Sequence, residues 1–61
     1  MNNETASYLN RVDEYIQKAQ RELAKARLQD TGTREETMYL KEAQLALDNA
    51  STVLGRTLPS Q

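Results

Sequence analysis

The chain is short, nearly neutral and lacks two residue types on which much protein chemistry depends. Its 61 residues include eight Lys and Arg against nine Asp and Glu, for a formal net charge of −1, and they include no cysteine and no histidine. Without cysteine there can be no disulfide, and a zinc site would lack both of its usual ligands, cysteine and histidine. A nucleophilic triad would lack its histidine base. Because the net charge is close to zero, charge alone would not draw the protein to nucleic acid or to a membrane surface.

The first half of the chain has the apolar pattern of an amphipathic helix, which we place at about 5–29. Its apolar residues recur at intervals of three and four, the spacing of a heptad seam along one helix face. The seam in this half consists of Leu9, Val12, Ile16, Ala19, Leu23 and Ala26.

A reversal of the chain is predicted at about 30–33. Gly32 can adopt the left-handed conformation that closes a helix. Thr33 and Glu36 have the spacing of a capping box, which opens the next helix. A stop and a start this close together predict a tight αα-hairpin.

The second helix is predicted at about 34–54, followed by a polar tail at 55–61, with Gly55 as the expected stop. Its apolar residues again alternate at intervals of three and four. The seam in this half consists of Leu40, Ala43, Leu47, Ala50 and Leu54.

Folding the chain about its reversal brings the two seams together in a single all-α domain, an antiparallel two-helix hairpin spanning 1–61. Positions whose numbers add to about 63 pair, so Leu9 faces Leu54 and Ile16 faces Leu47. Both halves also repeat alanine every seventh residue, which lets antiparallel helices approach closely. These pairs are predicted to form the core.

Such a core is thin for a folded monomer. The chain has no Phe and no Trp, and two helices can shield only part of so wide an apolar face. We expect a second copy to cover the rest and complete a homodimeric four-helix bundle; the alternative is a marginal monomer whose tyrosine hydroxyls point to water. The predicted dimer flank consists of Tyr8, Tyr15, Tyr39, Ala46 and Val53.

Met38 and Leu45 fall on the helix face opposite the seam, one heptad apart. They predict either a contact patch for a protein partner or two unrelated apolar side chains at the surface, which are common in proteins. The spacing alone leaves both interpretations open.

A basic stripe runs along the first helix, formed by Arg11, Lys18 and Lys25 at seven-residue spacing. In length and hairpin form the chain resembles the small dimeric RNA-binding regulators of plasmid replication, which makes an RNA-binding dimer the alternative function. Glu14 and Glu22 interrupt the stripe, and no aromatic residue lies within it for base stacking. The pattern favours a salt-bridged, solvated helix face, and we expect no nucleic-acid partner.

Two Ala-Gln pairs, Ala19-Gln20 and Ala43-Gln44, carry a more local resemblance, together with the runs 28–31, 39–44 and 53–54. They are similar to a short uncharacterised helical-hairpin family of spore-forming Firmicutes, whose members lack cysteine and carry such a pair in each helix. The resemblance implies a bacterial protein with a link to sporulation and no known activity.

These patterns favour a non-enzymatic structural or protein-interaction module, an adaptor or an inhibitor, that acts as a homodimeric helical bundle. We expect no cofactor, no metal, no small-molecule substrate and no membrane contact, and a protein partner whose identity the sequence does not give. The polar amino terminus has no leader pattern, so a cytoplasmic location is expected. The hairpin could also be one piece of a larger assembly.

Overall fold

The computed structural model describes residues 2–58 and shows two antiparallel α-helices packed side by side. Helix α1 spans Asn3–Arg27 and helix α2 spans Arg34–Gly55, with no strand in the described residues. The predicted all-α hairpin is confirmed, and α2 ends one residue later than predicted. Residues 59–61 of the predicted tail, and the first residue of the predicted domain, lie outside the described residues.

Helix α1 is shifted by two residues towards the amino terminus relative to the predicted 5–29. It begins early because the Asn2 side chain caps it, accepting a hydrogen bond from the Thr5 amide at 2.7 Å. It ends early because the Leu28 amide already donates to the carbonyl of Lys25 at 3.1 Å, the three-residue bond that tightens and closes a last turn.

The turn between the helices is held by side chains that satisfy free backbone groups. Gly32 has a φ of +84°, the left-handed conformation that favours glycine, but it lies within the turn rather than at the end of α1. Thr33 caps α2, as predicted, because its hydroxyl accepts from the Glu36 amide at 3.2 Å. The Glu36 carboxylate reaches past the cap residue and accepts from the Gly32 amide at 2.8 Å.

Small side chains form the contact between the two helices. Alanine at the contact allows two helix backbones to approach closely, since only a methyl group separates them. Within residues 2–58 no large side chain is fully buried. The buried apolar residues are Val12, Ala19, Ala26, Ala43, Ala46, Ala50 and Val53.

The contact is rotated relative to the predicted one, and the expectation that the large seam residues form the hairpin core is wrong. Ile16 is 39% exposed and Leu47 is 49% exposed, whereas Ala46 and Val53 of the predicted dimer flank are buried. The seam residues at the surface are Ile16, Leu40, Leu47 and Leu54, and the partly buried ones are Leu9 and Leu23.

Alanine explains the direction of this rotation. One side of the alanine contact carries only Leu and Ile, whereas the other side contains Ala46. Turning the helices towards Ala46 keeps the backbones close, whereas turning towards the leucines would force them apart. Tyr8 and Tyr15 are partly buried and pack against the cluster of Val12, Ala50 and Val53.

The molecule is a single layer of two helices. Its Cα atoms span 44 × 21 × 10 Å, and its radius of gyration is 14.3 Å, against about 10.5 Å for a compact domain of this length. It exposes 4896 Å² of surface, whereas a compact monomer of this mass would expose about 4000 Å². Since domains need two packed layers to enclose a core, one layer leaves a broad side uncovered.

Candidate interaction surfaces

Six large aliphatic side chains lie on one broad side of the hairpin, and we call this surface the aliphatic face. In each helix its members come one residue after positions that pack inward, a turn of about 100°. Both helices are right-handed, and they run in opposite directions with their inward sides facing each other. The step from an inward-packing residue to the next residue therefore leads to the same broad side of the hairpin in both helices. The aliphatic face consists of Leu9, Ile16, Leu23, Leu40, Leu47 and Leu54.

The members of the aliphatic face recur every seventh residue along both helices. In the register in which paired numbers add to 63, we expect its side chains to form three cross-helix layers, with Ile16 and Leu47 in the middle layer. Seven residues separate neighbouring layers, about 10.5 Å along the helix, so the stripe is about 21 Å long. A continuous apolar stripe on a small protein marks an interaction surface more strongly than scattered apolar residues do.

Both charged and uncharged polar residues border the aliphatic face. The bordering positions come four residues after its members, and most of them carry uncharged polar groups, all exposed. The bordering residues are Asp13, Gln20, Arg27, Gln44 and Ser51.

The opposite broad side of the hairpin is charged, and the lysines of the basic stripe have acidic partners there. Lys18 Nζ lies 3.9 Å from a carboxylate oxygen of Glu42 on the other helix. Lys25 Nζ donates to Glu22 Oε1 at 3.2 Å and lies 5.8 Å from the centroid of the Tyr39 ring. Both lysines are about half exposed, so each pair contributes little stability, but the pairs offset part of the positive charge that RNA would contact.

Glu22 is buried, which corrects the prediction that the helix face of the basic stripe is solvated at this position. Its position explains why, because it follows Tyr8 and Tyr15 at seven-residue spacing and shares their inward-packing side of α1. The carboxylate keeps a hydrogen-bond partner in Lys25. The seven-residue spacing of Tyr8, Tyr15 and Glu22 is the sequence signal from which the burial of Glu22 could have been predicted.

A shallow pocket of about 150 Å³ opens on the charged side, next to Glu22. Met38 lies beside it and is 55% exposed, and Leu45 is 54% exposed. The predicted surface position of these two residues is confirmed. The pocket is lined by Glu22, Glu35, Met38, Tyr39 and Glu42.

The described part of the chain offers no assembled metal site. No group of three or more acidic side chains within residues 2–58 is arranged to hold a metal ion. Neither helix combines the length and apolar character needed to cross a membrane. The surfaces that stand out are therefore the aliphatic face and the charged side with its pocket.

No protein-family model matches the chain, and comparisons with curated proteins and with solved structures gave no significant match. The resemblance to the hairpin family of spore-forming bacteria therefore stays a prediction from the two Ala-Gln pairs. What the chain does has to be inferred from its own surfaces.

Proposed function

We propose that the protein is a non-enzymatic interaction module, an adaptor or an inhibitor, whose working form is a homodimeric four-helix bundle. In this dimer the aliphatic faces of two copies cover each other. The observation that carries the proposal is the exposure of that face, where Ile16, Leu40, Leu47 and Leu54 remain two-fifths to one-half accessible in the single chain. The proposed location is the cytoplasm, with which the absence of cysteine is compatible.

The size of the broad side suits a stable dimer. A side of 44 × 21 Å covers on the order of 900 Å², close to the ~800 Å² that each partner buries in a standard interface. The single chain exposes 4896 Å², which exceeds the surface expected of a compact monomer of this mass by about the same area. Stacking two such layers gives a two-layer domain with the aliphatic side chains enclosed.

The distribution of charge favours closure at two copies. The aliphatic side is bordered by one acidic and one basic residue, Asp13 and Arg27, among glutamine and serine. The ion pairs of Lys18 and Lys25 with glutamates lie on the opposite side. After two aliphatic faces meet, both outer sides of the bundle are charged and hydrated. Further stacking would have to desolvate those charges, which is costly.

Dimerisation predicts a melting temperature that depends on concentration. If folding and association are coupled, each tenfold rise in protein concentration stabilises the dimer by about 1.4 kcal/mol. For two chains of this length the expected rise in melting temperature is about 5 °C per tenfold. Far-UV circular dichroism melts over a hundredfold concentration range measure it, and an unchanging melting temperature would contradict the proposal.

A further inference from the structure

We propose that the two copies of the dimer pack with their turns at opposite ends of the bundle, and that charged residues around the aliphatic face set this orientation. The inference rests on the proposed function, because it concerns the aliphatic face and the second copy of the chain that covers it. Two-fold symmetry with nearly parallel helix axes allows two arrangements, with the turns together at one end or apart at opposite ends. Both arrangements enclose the same aliphatic side chains, but they bring different charges together.

Five charged residues surround the aliphatic face, and we call them the charged rim. They occupy helix positions one or four residues after members of the face, with Arg34 one heptad before Lys41. The other residues at such positions carry no charge. All five are exposed, and none of them forms an ion pair within residues 2–58. The charged rim consists of Asp13, Arg27, Arg34, Lys41 and Asp48.

The charged rim has opposite signs in its two parts. Its basic part is next to the turn, where Arg27 ends α1 and Arg34 begins α2. Its acidic part is farther away, because Asp13 and Asp48 each lie 14 residues beyond the arginine of the same helix, about 21 Å along it. The side of each copy that meets the partner is therefore positive near the turn and negative farther along.

Contacts between α1 and α2 give the register of the charged rim. Lys18 contacts Glu42, and Lys25 lies over the Tyr39 ring, so residues at the same height have numbers that add to 60–64. The two aspartates of the charged rim have numbers that add to 61, and so do its two arginines. Each like-charged pair therefore lies at one height, with one member on each helix.

With the turns together, these like charges would meet in the dimer. A two-fold axis parallel to the helices stacks α1 of each copy on α2 of the other and keeps every residue at its own height. Asp13 would lie beside the partner's Asp48, and Arg27 beside the partner's Arg34, each twice. Asp30 in the turn offsets part of the repulsion between the arginines, whereas the basic rim residue nearest to Asp48 is seven residues away. Juxtaposed like charges weaken an interface.

With the turns apart, most of these contacts disappear. A two-fold axis across the helices stacks α1 on α1 and α2 on α2, centred on the middle of the aliphatic face when the two faces overlap fully. The arginines of the two copies then lie at opposite ends of the bundle, and Asp13 meets the partner's Gln20. One like-charged contact remains, between the two copies of Asp48, and the partner's Lys41 lies within about 7.5 Å of each along the helix.

The charged rim therefore favours the arrangement with the turns apart. One like-charged contact for each dimer replaces four, and the basic part of each rim is moved away from that of the partner. Because the aliphatic contact is the same in both arrangements, charge decides between them, and charge complementarity typically sets how partners are oriented.

Distances between spin labels at the turn test the orientation. The chain has no cysteine, so Thr31→Cys at an exposed turn position places one label on each copy, and double electron–electron resonance measures their separation. With the turns apart we expect about 45 Å, twice the height of the turn above the middle of the aliphatic face. With the turns together the separation would be less than about 25 Å, because packed helices are only ~8–10 Å apart. The long distance supports the proposal, and the short one would overturn it.

A label at Gln17 separates failure of this inference from failure of the proposed function. Gln17 is exposed and follows Ile16 at the middle of the aliphatic face, so Gln17→Cys gives a short distance in either arrangement. No defined distance at Gln17→Cys, together with a single chain mass in sedimentation, would overturn the dimer and the orientation with it. A defined distance there and a short distance at Thr31→Cys would overturn the orientation alone.

Neutralising the like-charged pairs tests the cause of the orientation. In the Thr31→Cys background we expect both distances to appear, with the short-distance population rising at least about tenfold, because charge no longer distinguishes the arrangements. Retention of the long distance alone would overturn the charged rim as the cause. The substitutions are Asp13→Asn, Arg27→Gln, Arg34→Gln and Asp48→Asn.

A matched variant removes the same number of charges of each sign from exposed positions away from the aliphatic face. It should keep the long distance alone, because the charged rim is intact. The same mixture of distances in both variants would overturn the assignment to the charged rim. The substitutions of the matched variant are Arg11→Gln, Glu14→Gln, Glu35→Gln and Arg56→Gln.

Discussion

We expect replacement of Leu47 with glutamate to dissociate the proposed dimer, and replacement of Leu45 with glutamate to leave it intact. The two leucines lie on the same helix and are about equally accessible in the single chain, 49% and 54% exposed. If the protein were a monomer, the two substitutions would therefore have similar, small effects on its stability. Leu47 becomes enclosed when two aliphatic faces meet, whereas Leu45 stays on the outer side.

The expected difference is large because each dimer contains two copies of the substitution. Enclosing an uncompensated carboxylate costs on the order of 3 kcal/mol, so Leu47→Glu should weaken association by about four orders of magnitude. Sedimentation velocity at micromolar concentration should show Leu45→Glu at the dimer position and Leu47→Glu as a monomer with reduced helical circular dichroism. Identical behaviour of the two variants would show that the aliphatic face is not the interface.

Replacing Ala19 with leucine will separate the helices of the hairpin and destabilise the protein, whereas the same change at Ala24 will be nearly neutral. Ala19 is 2% exposed at the contact with α2, and Ala24 is exposed on the same helix. Both variants replace alanine with leucine in the same helix, so the changes in helix propensity and in side-chain hydrophobicity are the same. The difference in stability between the two variants therefore measures the effect of close packing at Ala19. Overpacking of this kind costs about 1–3 kcal/mol, and an exposed substitution changes stability by less than about 0.5 kcal/mol.

Urea unfolding at one fixed protein concentration measures this pair of variants. The fixed concentration matters because the stability of a dimer depends on it. Ala19→Leu should lower the midpoint clearly, and Ala24→Leu should coincide with the unsubstituted chain. Equal midpoints for the two variants would mean that the helices do not approach each other through alanine.

The architecture was predictable because its signals are local. Three-four periodicity locates both helices, and Thr33 with Glu36 gives the start of α2. Gly32 then supplies the positive φ that the turn contains. Helix ends were harder, since the cap at Asn2 and the three-residue bond at Leu28 each compete with equally plausible neighbours.

The orientation of the helices about their axes was not predictable from apolar spacing. Alanine lies in the middle of a wide apolar face in each helix, and periodicity cannot tell which side of the alanines turns inward. Hydrophobicity favoured the leucines, but size governs the contact, and Ala46 made the tyrosine side the closer fit. The same rotation buries Glu22 and opens the pocket beside Met38.

Sedimentation equilibrium of the unsubstituted chain at micromolar concentration tests the central claim most directly. The chain mass is 6.9 kDa, and we expect twice that mass, because one layer of two helices leaves Leu40, Leu47 and their neighbours uncovered. A single species of one chain mass that keeps its helical circular dichroism and melts cooperatively would contradict the account.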